Sequence, residues 1–258
     1  MIDRNWQQDL EPVLRIAGDI LLSYYGKDLQ IKEKPQNGFV TEADLASEQY
    51  LIAALHDLLP EASFFAEESG VSGSNDYCWV IDPLDGTTNY AHGIPYWCIS
   101  VALTHKNIPI VGAIYVPLQD DYFFAAAGKG ASCNGVAIQV SRPEKLACAL
   151  IAIGIPYATD QRQSIVHLGE RIALEAYGIR HLGAIALDLA NISCGRLDGV
   201  VLTGLAWWDV AAGIVLLEEA GGKIGDFEGE SLAPTYKTGI AGSELVFDSL
   251  KSLIKGKN

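Results

Sequence analysis

The chain has 258 residues, 49% of them hydrophobic, and a formal net charge of −14. A chain of this size with that apolar content forms one large core or two intimate halves, burying roughly 70–75% of its unfolded surface. The negative balance argues against gripping a nucleic-acid backbone, and with no apolar run of about 18 residues and no basic-then-apolar leader, neither a membrane span nor a signal peptide is expected.

Helical periodicity covers residues 5–26 (Leu10, Val13, Leu14, Ala17, Ile20, Leu21), closed by Gly26, and returns over 42–59. Phe64-Phe65-Ala66 reads as a short strand meeting a turn at Glu67-Glu68-Ser69-Gly70. The texture then becomes β: 77–81, 97–104, 110–116 and 121–126 are Val/Ile/Tyr/Phe-rich runs broken by Gly, Pro, Asn or Asp, an antiparallel meander. After Ser141-Arg142-Pro143-Glu144 it alternates: strand 148–153, helix 161–177, strand 179–181, helix 184–195, strand 198–203, helix 209–220 and a last helix from about 243. This order predicts an α+β chain in two halves, 1–142 and 143–258. The five cysteines (Cys78, Cys98, Cys133, Cys148, Cys194) are odd in number and lack Cys-x-x-Cys spacing. They read as small core residues of a reducing, cytoplasmic compartment.

The chemistry concentrates where an apolar run ends in Asp82-Pro83-Leu84-Asp85-Gly86-Thr87-Thr88-Asn89. Two carboxylates at a strand end suit a hard cation such as Mg²⁺, which takes oxygen ligands and keeps positions for water and substrate phosphate. Pro83 stiffens the turn, and Gly86 lets the backbone approach closely. Thr87, Thr88 and Asn89 offer hydroxyl, amide and N–H donors where a helix could start, an anion site. Read singly, this is also a Pro-Gly turn with a cap. Glu67 is also a loop acid, Asp209 in Trp207-Trp208-Asp209 an N-cap, and Asp44 a residue of the helix after Thr41.

Together these segments resemble the inositol monophosphatase family of Mg²⁺-dependent, lithium-sensitive phosphatases. Asp82–Asn89 is similar to its first signature, Trp208-Asp209-Val210-Ala211-Ala212-Gly213 with Glu219-Ala220-Gly221-Gly222 to its second, and Glu67-Glu68-Ser69 and Thr41-Glu42-Ala43-Asp44 to its two earlier acidic segments. The order agrees from about residue 35 to about 245. The resemblance implies a layered α-β-α-β-α sandwich, a homodimer, and hydrolysis of a small phosphate monoester by metal-activated water. It assigns two to three Mg²⁺ ions to Glu67, Asp82, the Leu84 carbonyl, Asp85 and Asp209, with Asp44 in an outer water shell. Glu67, Thr87 and Asp82 would be the catalytic residues, and Gly86, Thr87 and Thr88 would hold phosphate oxygens. On the substrate side it points to Gly183-Ala184-Ile185-Ala186; Arg180, one of few cations and just before that loop, reads as a leaving-group contact. Inositol-hydrolysing members carry Glu seven residues before the second-signature Asp; here that position is Leu202. Rival readings are a phosphatase for fructose-1,6-bisphosphate, histidinol phosphate or 3′-phosphoadenosine phosphate. Another is a protein-binding regulator that uses this fold to engage a polymerase or ribosomal component.

Overall fold

In the central strands, both faces of the backbone carry apolar side chains. Along residues 99–103, Ile99, Val101 and Leu103 join one core, whereas Ala102 joins another together with Cys98. Strands buried on both faces need a layer on each side, and the fold supplies them. The structure, a computed structural model, describes residues 4–34, 38–156 and 159–256. Among these, α1 (Trp6–Tyr24) leads to β1 (Ile31–Lys34), β2 (Gly38–Thr41) and α2 (Glu42–Leu58). Next come β3 (Ser63–Ala66), β4 (Gly70–Ser72), β5 (Tyr77–Asp85), the short α3 (Thr87–Ala91), β6 (Cys98–His105), β7 (Ile108–Val116), β8 (Asp121–Ala126), β9 (Ala131–Cys133) and β10 (Val136–Ala137). Beyond a 3₁₀ turn at Leu146–Cys148 lie β11 (Leu150–Gly154), α4 (Thr159–Glu175), β12 (Gly178–Arg180), α5 (Ile185–Ser193), β13 (Gly199–Thr203) and α6 (Trp207–Glu219). The chain closes with β14 (Lys223–Gly225), β15 (Thr238–Gly242) and α7 (Glu244–Ile254).

Among the described residues, the strands beyond the β1–β2 hairpin form two sheets. An eight-stranded sheet runs β10-β9-β8-β7-β6-β5-β3-β4 and a five-stranded one β12-β11-β13-β15-β14. The meander from β5 to β8 is antiparallel, but β3 joins β5 in parallel. Helices α1 and α2 cover one face of the large sheet, α5 and α6 fill the space between the sheets, and α4 and α7 close the outer face of the small one. The layers are thus α-β-α-β-α, an α+β fold.

Sandwiched α6 is apolar nearly all round, buried without interruption from Val210 to Leu217, as a helix between two sheets must be. It lies close on β7 because position 112 is glycine: a Cβ there would stand 2.4 Å from the Ala212 carbonyl oxygen. All five cysteines are free, but only Cys98 is fully buried and Cys148 is exposed. The uniform core reading of the cysteines is therefore corrected, since residue 148 ends the exposed turn just before β11. Among the described residues, no helix is long and apolar enough to cross a membrane.

Candidate active site

Asp82 and Asp85 both lie within β5, and their spacing needs explaining. Residues three apart on a regular strand face opposite ways. Here Asp82 pairs with Ser100 and Asp85 with Cys98, so three steps on β5 match two on β6. That bulge returns Asp85 to the face of Asp82, toward the α5–α6 layer. The Glu67 backbone N–H donates to the Ile81 carbonyl at 3.1 Å, which holds the end of β3 beside β5. Asp209 enters from the first turn of α6. The site therefore sits where β3 and β5 end against the N-termini of the central helices.

Each aspartate of the site is held by backbone or hydroxyl donors. Asp82 Oδ1 accepts the Leu84 N–H at 3.0 Å, closing the Pro83 turn. Asp85 receives three amides from the start of α5: Ile185 on Oδ1 at 3.2 Å, and Ala186 and Leu187 on Oδ2 at 2.7 and 3.3 Å. Asp209 is the third residue of α6, which begins at Trp207 rather than 209, and its Oδ2 accepts the Ala206 N–H at 2.7 Å. Asp44 is fully buried and caps α2: its Oδ2 accepts the Thr41 N–H at 2.9 Å and the Thr41 hydroxyl at 2.6 Å. The Thr87 hydroxyl lies 3.0 Å from both Asp44 Oδ1 and the Leu84 carbonyl, two acceptors for its single proton.

Burial raises the affinity of these carboxyls for protons, and the acids reinforce one another. Burial first, then the charges of Glu67, Asp85 and Asp209, hold the Asp82 carboxyl well above the ordinary range. Asp85 is pushed up to about 7 by burial, against the pull of the Leu187 and Ala186 amides. Burial also raises Asp209 strongly, opposed by the Ala206 amide and, at longer range, by Lys237. Asp44 reaches about 6, again mainly through burial. Hard oxygen donors that penalise one another's ionisation fit a divalent cation, which relieves that penalty. Among the described residues, no three acidic, His or Cys side chains already surround a common point. The aspartates are gathered but hold backbone partners, and Asp82 is also hydrogen-bonded to Glu67.

Gly86 has φ +91°, and a Cβ there would meet the Tyr96 carbonyl at 2.9 Å and Ala184 Cβ at 3.1 Å. Thr88 is half-buried in α3. The Asn89 amide is not free for a ligand: its Nδ2 donates to the carbonyls of Tyr96 and Leu182 at 2.8 and 2.7 Å, tying α3 to the loop before α5. Ala184 and Ala186 are buried, and Ile185 is half-buried. The amides of Ile185 and Ala186 face Asp85. Leu202 has 0% exposure and sits in the central core, so it offers no surface to a leaving group. Arg180 is exposed on β12 and bonds its own Ile179 carbonyl; it lines a pocket of about 290 Å³ against α4, apart from the carboxylates.

Sequence reading missed three buried polar groups around the site. Ser47 and Glu48 lie with Asp44 on the buried face of α2, and Asp188 on α5 accepts the Tyr96 hydroxyl at 2.6 Å. The spacing Asp44-Ser47-Glu48-Leu51-Leu55, one helical stripe running from polar to apolar, was the available signal for the first two.

A family model described as the inositol monophosphatase family matches residues 5–255. An inositol-1-monophosphatase of Synechocystis sp. is 38% identical over 231 residues, covering 87% of this chain and 80% of that protein. A protein of Pseudomonas aeruginosa named Nus factor SuhB is 36% identical over 234 residues, covering 88% and 86%. The crystal structure of the extragenic suppressor protein suhB from Bartonella henselae superposes with a TM-score of 0.93 at 34% identity, over 98% of this chain and 99% of that one. The chain belongs to the inositol monophosphatase family.

Proposed function

We propose that the protein is a Mg²⁺-dependent phosphatase hydrolysing a small phosphate monoester of a sugar or polyol. The observation that carries this reading is the meeting of Asp82, Asp85, Asp209 and Glu67 at one end of the two layers, each acid near enough to disfavour the ionisation of another. Glu67, Asp82, the Leu84 carbonyl, Asp85 and Asp209 would hold two to three ions, with Asp44 outside them. Such ions, when bound, neutralise phosphoryl oxygens, acidify a water and stabilise the leaving alkoxide.

The chain's own groups supply the rest. When the Thr87 hydroxyl donates its hydrogen bond to Asp44, its oxygen is free to accept one from a water and orient it. Glu67 is the second acceptor for that water. Gly86, locked in its left-handed turn, lets a phosphate approach the backbone at Thr87 and Thr88. Around the leaving group, Ala184, Ile185 and the occluded Leu202 provide no side-chain hydrogen bond for a hydroxylated ring. Simple alcohol phosphates should therefore compete well with inositol phosphate. A homodimeric, cytoplasmic and lithium-sensitive enzyme goes with the same family reading. The relatives named Nus factor SuhB favour a second reading, a regulatory role on the same fold.

The test is phosphate release from a panel of monoesters with Mg²⁺, EDTA, and Mg²⁺ restored. Turnover should vanish in EDTA and return with the metal. An EDTA-indifferent rate would overturn the metal assignment, and no release from any ester would leave the regulatory reading.

A further inference from the structure

Helix α2 touches the acidic turns at three points, each from the same buried stripe. Asp44 reaches the Thr87 hydroxyl, and the Ser47 hydroxyl donates to the Pro83 carbonyl at 3.1 Å, in the turn between Asp82 and Asp85. One residue further, Glu48 is only 4% exposed. Its Oε2 accepts the Glu68 N–H at 2.9 Å and its Oε1 the Ser69 N–H at 2.8 Å. A carboxylate that takes two consecutive amides with its two oxygens fixes the orientation of that peptide as well as its distance. The peptide is the one leaving Glu67, whose own N–H is already bound to Ile81 in β5. Glu67 is thus held from both sides: by the sheet before it and by Glu48 after it.

We infer that Glu48 is a positioning residue, which aims the Glu67 carboxylate at Asp82 so that the two can share a metal ion. The inference rests on the metal-site reading proposed above. Its physical content is entropic and geometric. A turn free to rotate about Glu67 would present its carboxylate in many directions, and the ion would have to order it on binding. The Glu48 clamp completes that ordering beforehand. Glutamine at 48 keeps one acceptor but sets an NH₂ group against the other backbone amide, so the turn must swing away. Aspartate keeps the charge but falls one methylene short.

Wild-type, Glu48→Gln and Glu48→Asp proteins are each titrated with Mg²⁺ calorimetrically without substrate and assayed for phosphate release across Mg²⁺ concentrations. Amide hydrogen exchange is followed at residues 68 and 69. Glu48→Gln should melt cooperatively, exchange those two amides at least about tenfold faster, and need about tenfold more Mg²⁺ for half-saturation, the effect of one lost charge-assisted bond. Its kcat at saturating Mg²⁺ should fall much less than its Mg²⁺ affinity, and Glu48→Asp should lie between it and the wild type. An unchanged Mg²⁺ midpoint in a folded variant overturns the inference, as does a loss confined to kcat. If Glu48→Gln does not fold, Glu48→Asp carries the same test. Failure of both to fold overturns the inference by making Glu48 a residue of the fold alone. A wild type that binds no Mg²⁺ overturns the metal reading and this inference with it; wild-type binding beside an indifferent Glu48→Gln overturns this inference only.

Discussion

Asp82→Asn is expected to stabilise the metal-free protein at pH 8 while abolishing the proposed activity. Asparagine can reproduce the hydrogen bonds of Asp82: its Oδ1 accepts the Leu84 N–H, and its Nδ2 donates toward Glu67, with which Asp82 is hydrogen-bonded. What it removes is a buried charge. Because burial and neighbouring acids hold Asp82 well above the carboxylate range, the folded protein keeps a proton that the unfolded chain releases. Stability therefore falls as pH rises above the unfolded value, until the folded group ionises too. The penalty for burying an uncompensated carboxylate, several kcal/mol, sets the ceiling. Structural relaxation and water entry reduce the realistic gain to about 1–3 kcal/mol, or ~2–10 °C in Tm for a chain of this length. The assay is thermal unfolding in EDTA at pH 8 and pH 5. At pH 5, only about one unit above the unfolded carboxylate's value, the gap should be smaller than at pH 8, because the penalty builds up progressively between the unfolded and folded values. An Asp82→Asn protein that melts below wild type at pH 8, or a gap indifferent to pH, refutes the reasoning.

In phosphate-release assays at saturating Mg²⁺, Asp82→Asn should lose far more activity than Asp44→Asn, because on the proposed reading Asp44 would act only through Thr87 and water; equal losses in folded proteins would contradict that ranking. Tyr96→Phe removes the hydroxyl that donates to Asp188, a carboxyl pushed up to about 7 by burial despite that bond. It should cost about 1.5–3 kcal/mol above pH 7, where the carboxylate is charged, and about 0.5–1.5 kcal/mol at pH 5, read from urea unfolding at the two pH values. Leu202→Glu, which family resemblance would make a gain of inositol selectivity, should instead cost several kcal/mol by burying a lone carboxylate beside Gly154. A stable Leu202→Glu protein with a raised preference for inositol phosphate over glycerol 2-phosphate would show that the strand end opens to substrate.

What the sequence disclosed and what it hid divide along the range of the interactions. Helices α1, α2, α5 and α6 were legible because 3.6-residue periodicity is written within each segment, and β5 to β8 because long β-rich runs alternate with turn residues. Strands β1, β2, β4, β9, β10, β14 and β15 were not named. Each has two to five residues, and β15, Thr-Gly-Ile-Ala-Gly, has a single β-branched apolar side chain. Its identity comes from lying between β13 and β14, a non-local fact. Asp82 and Asp85 were legible from their place at the end of an apolar run, and Glu67, Asp209 and Asp44 through the family resemblance. Their partners were not, since Asp85 meets amides a hundred residues away and Asn89 clamps a carbonyl 93 residues on. Donors that look available in a turn are often already committed to the fold.

Residues 1–142 supply Glu67, Asp82 and Asp85, and residues 143–258 supply Asp209. Yet Asp85 also caps the first turn of α5, which belongs to the second half, and the missing Cβ of Gly112 in the first half leaves room for α6. The N-terminus of α5 carries a partial positive charge that a carboxylate stabilises, so the same oxygens that would bind an ion already draw the halves together without one. A cation arriving at Asp85 must therefore compete with three amides or be shared with them. In this fold the junction between the halves and the candidate metal site share the Asp85 carboxylate. Changes that loosen the packing of α5 on the large sheet should for that reason alter ion affinity before they alter the fold.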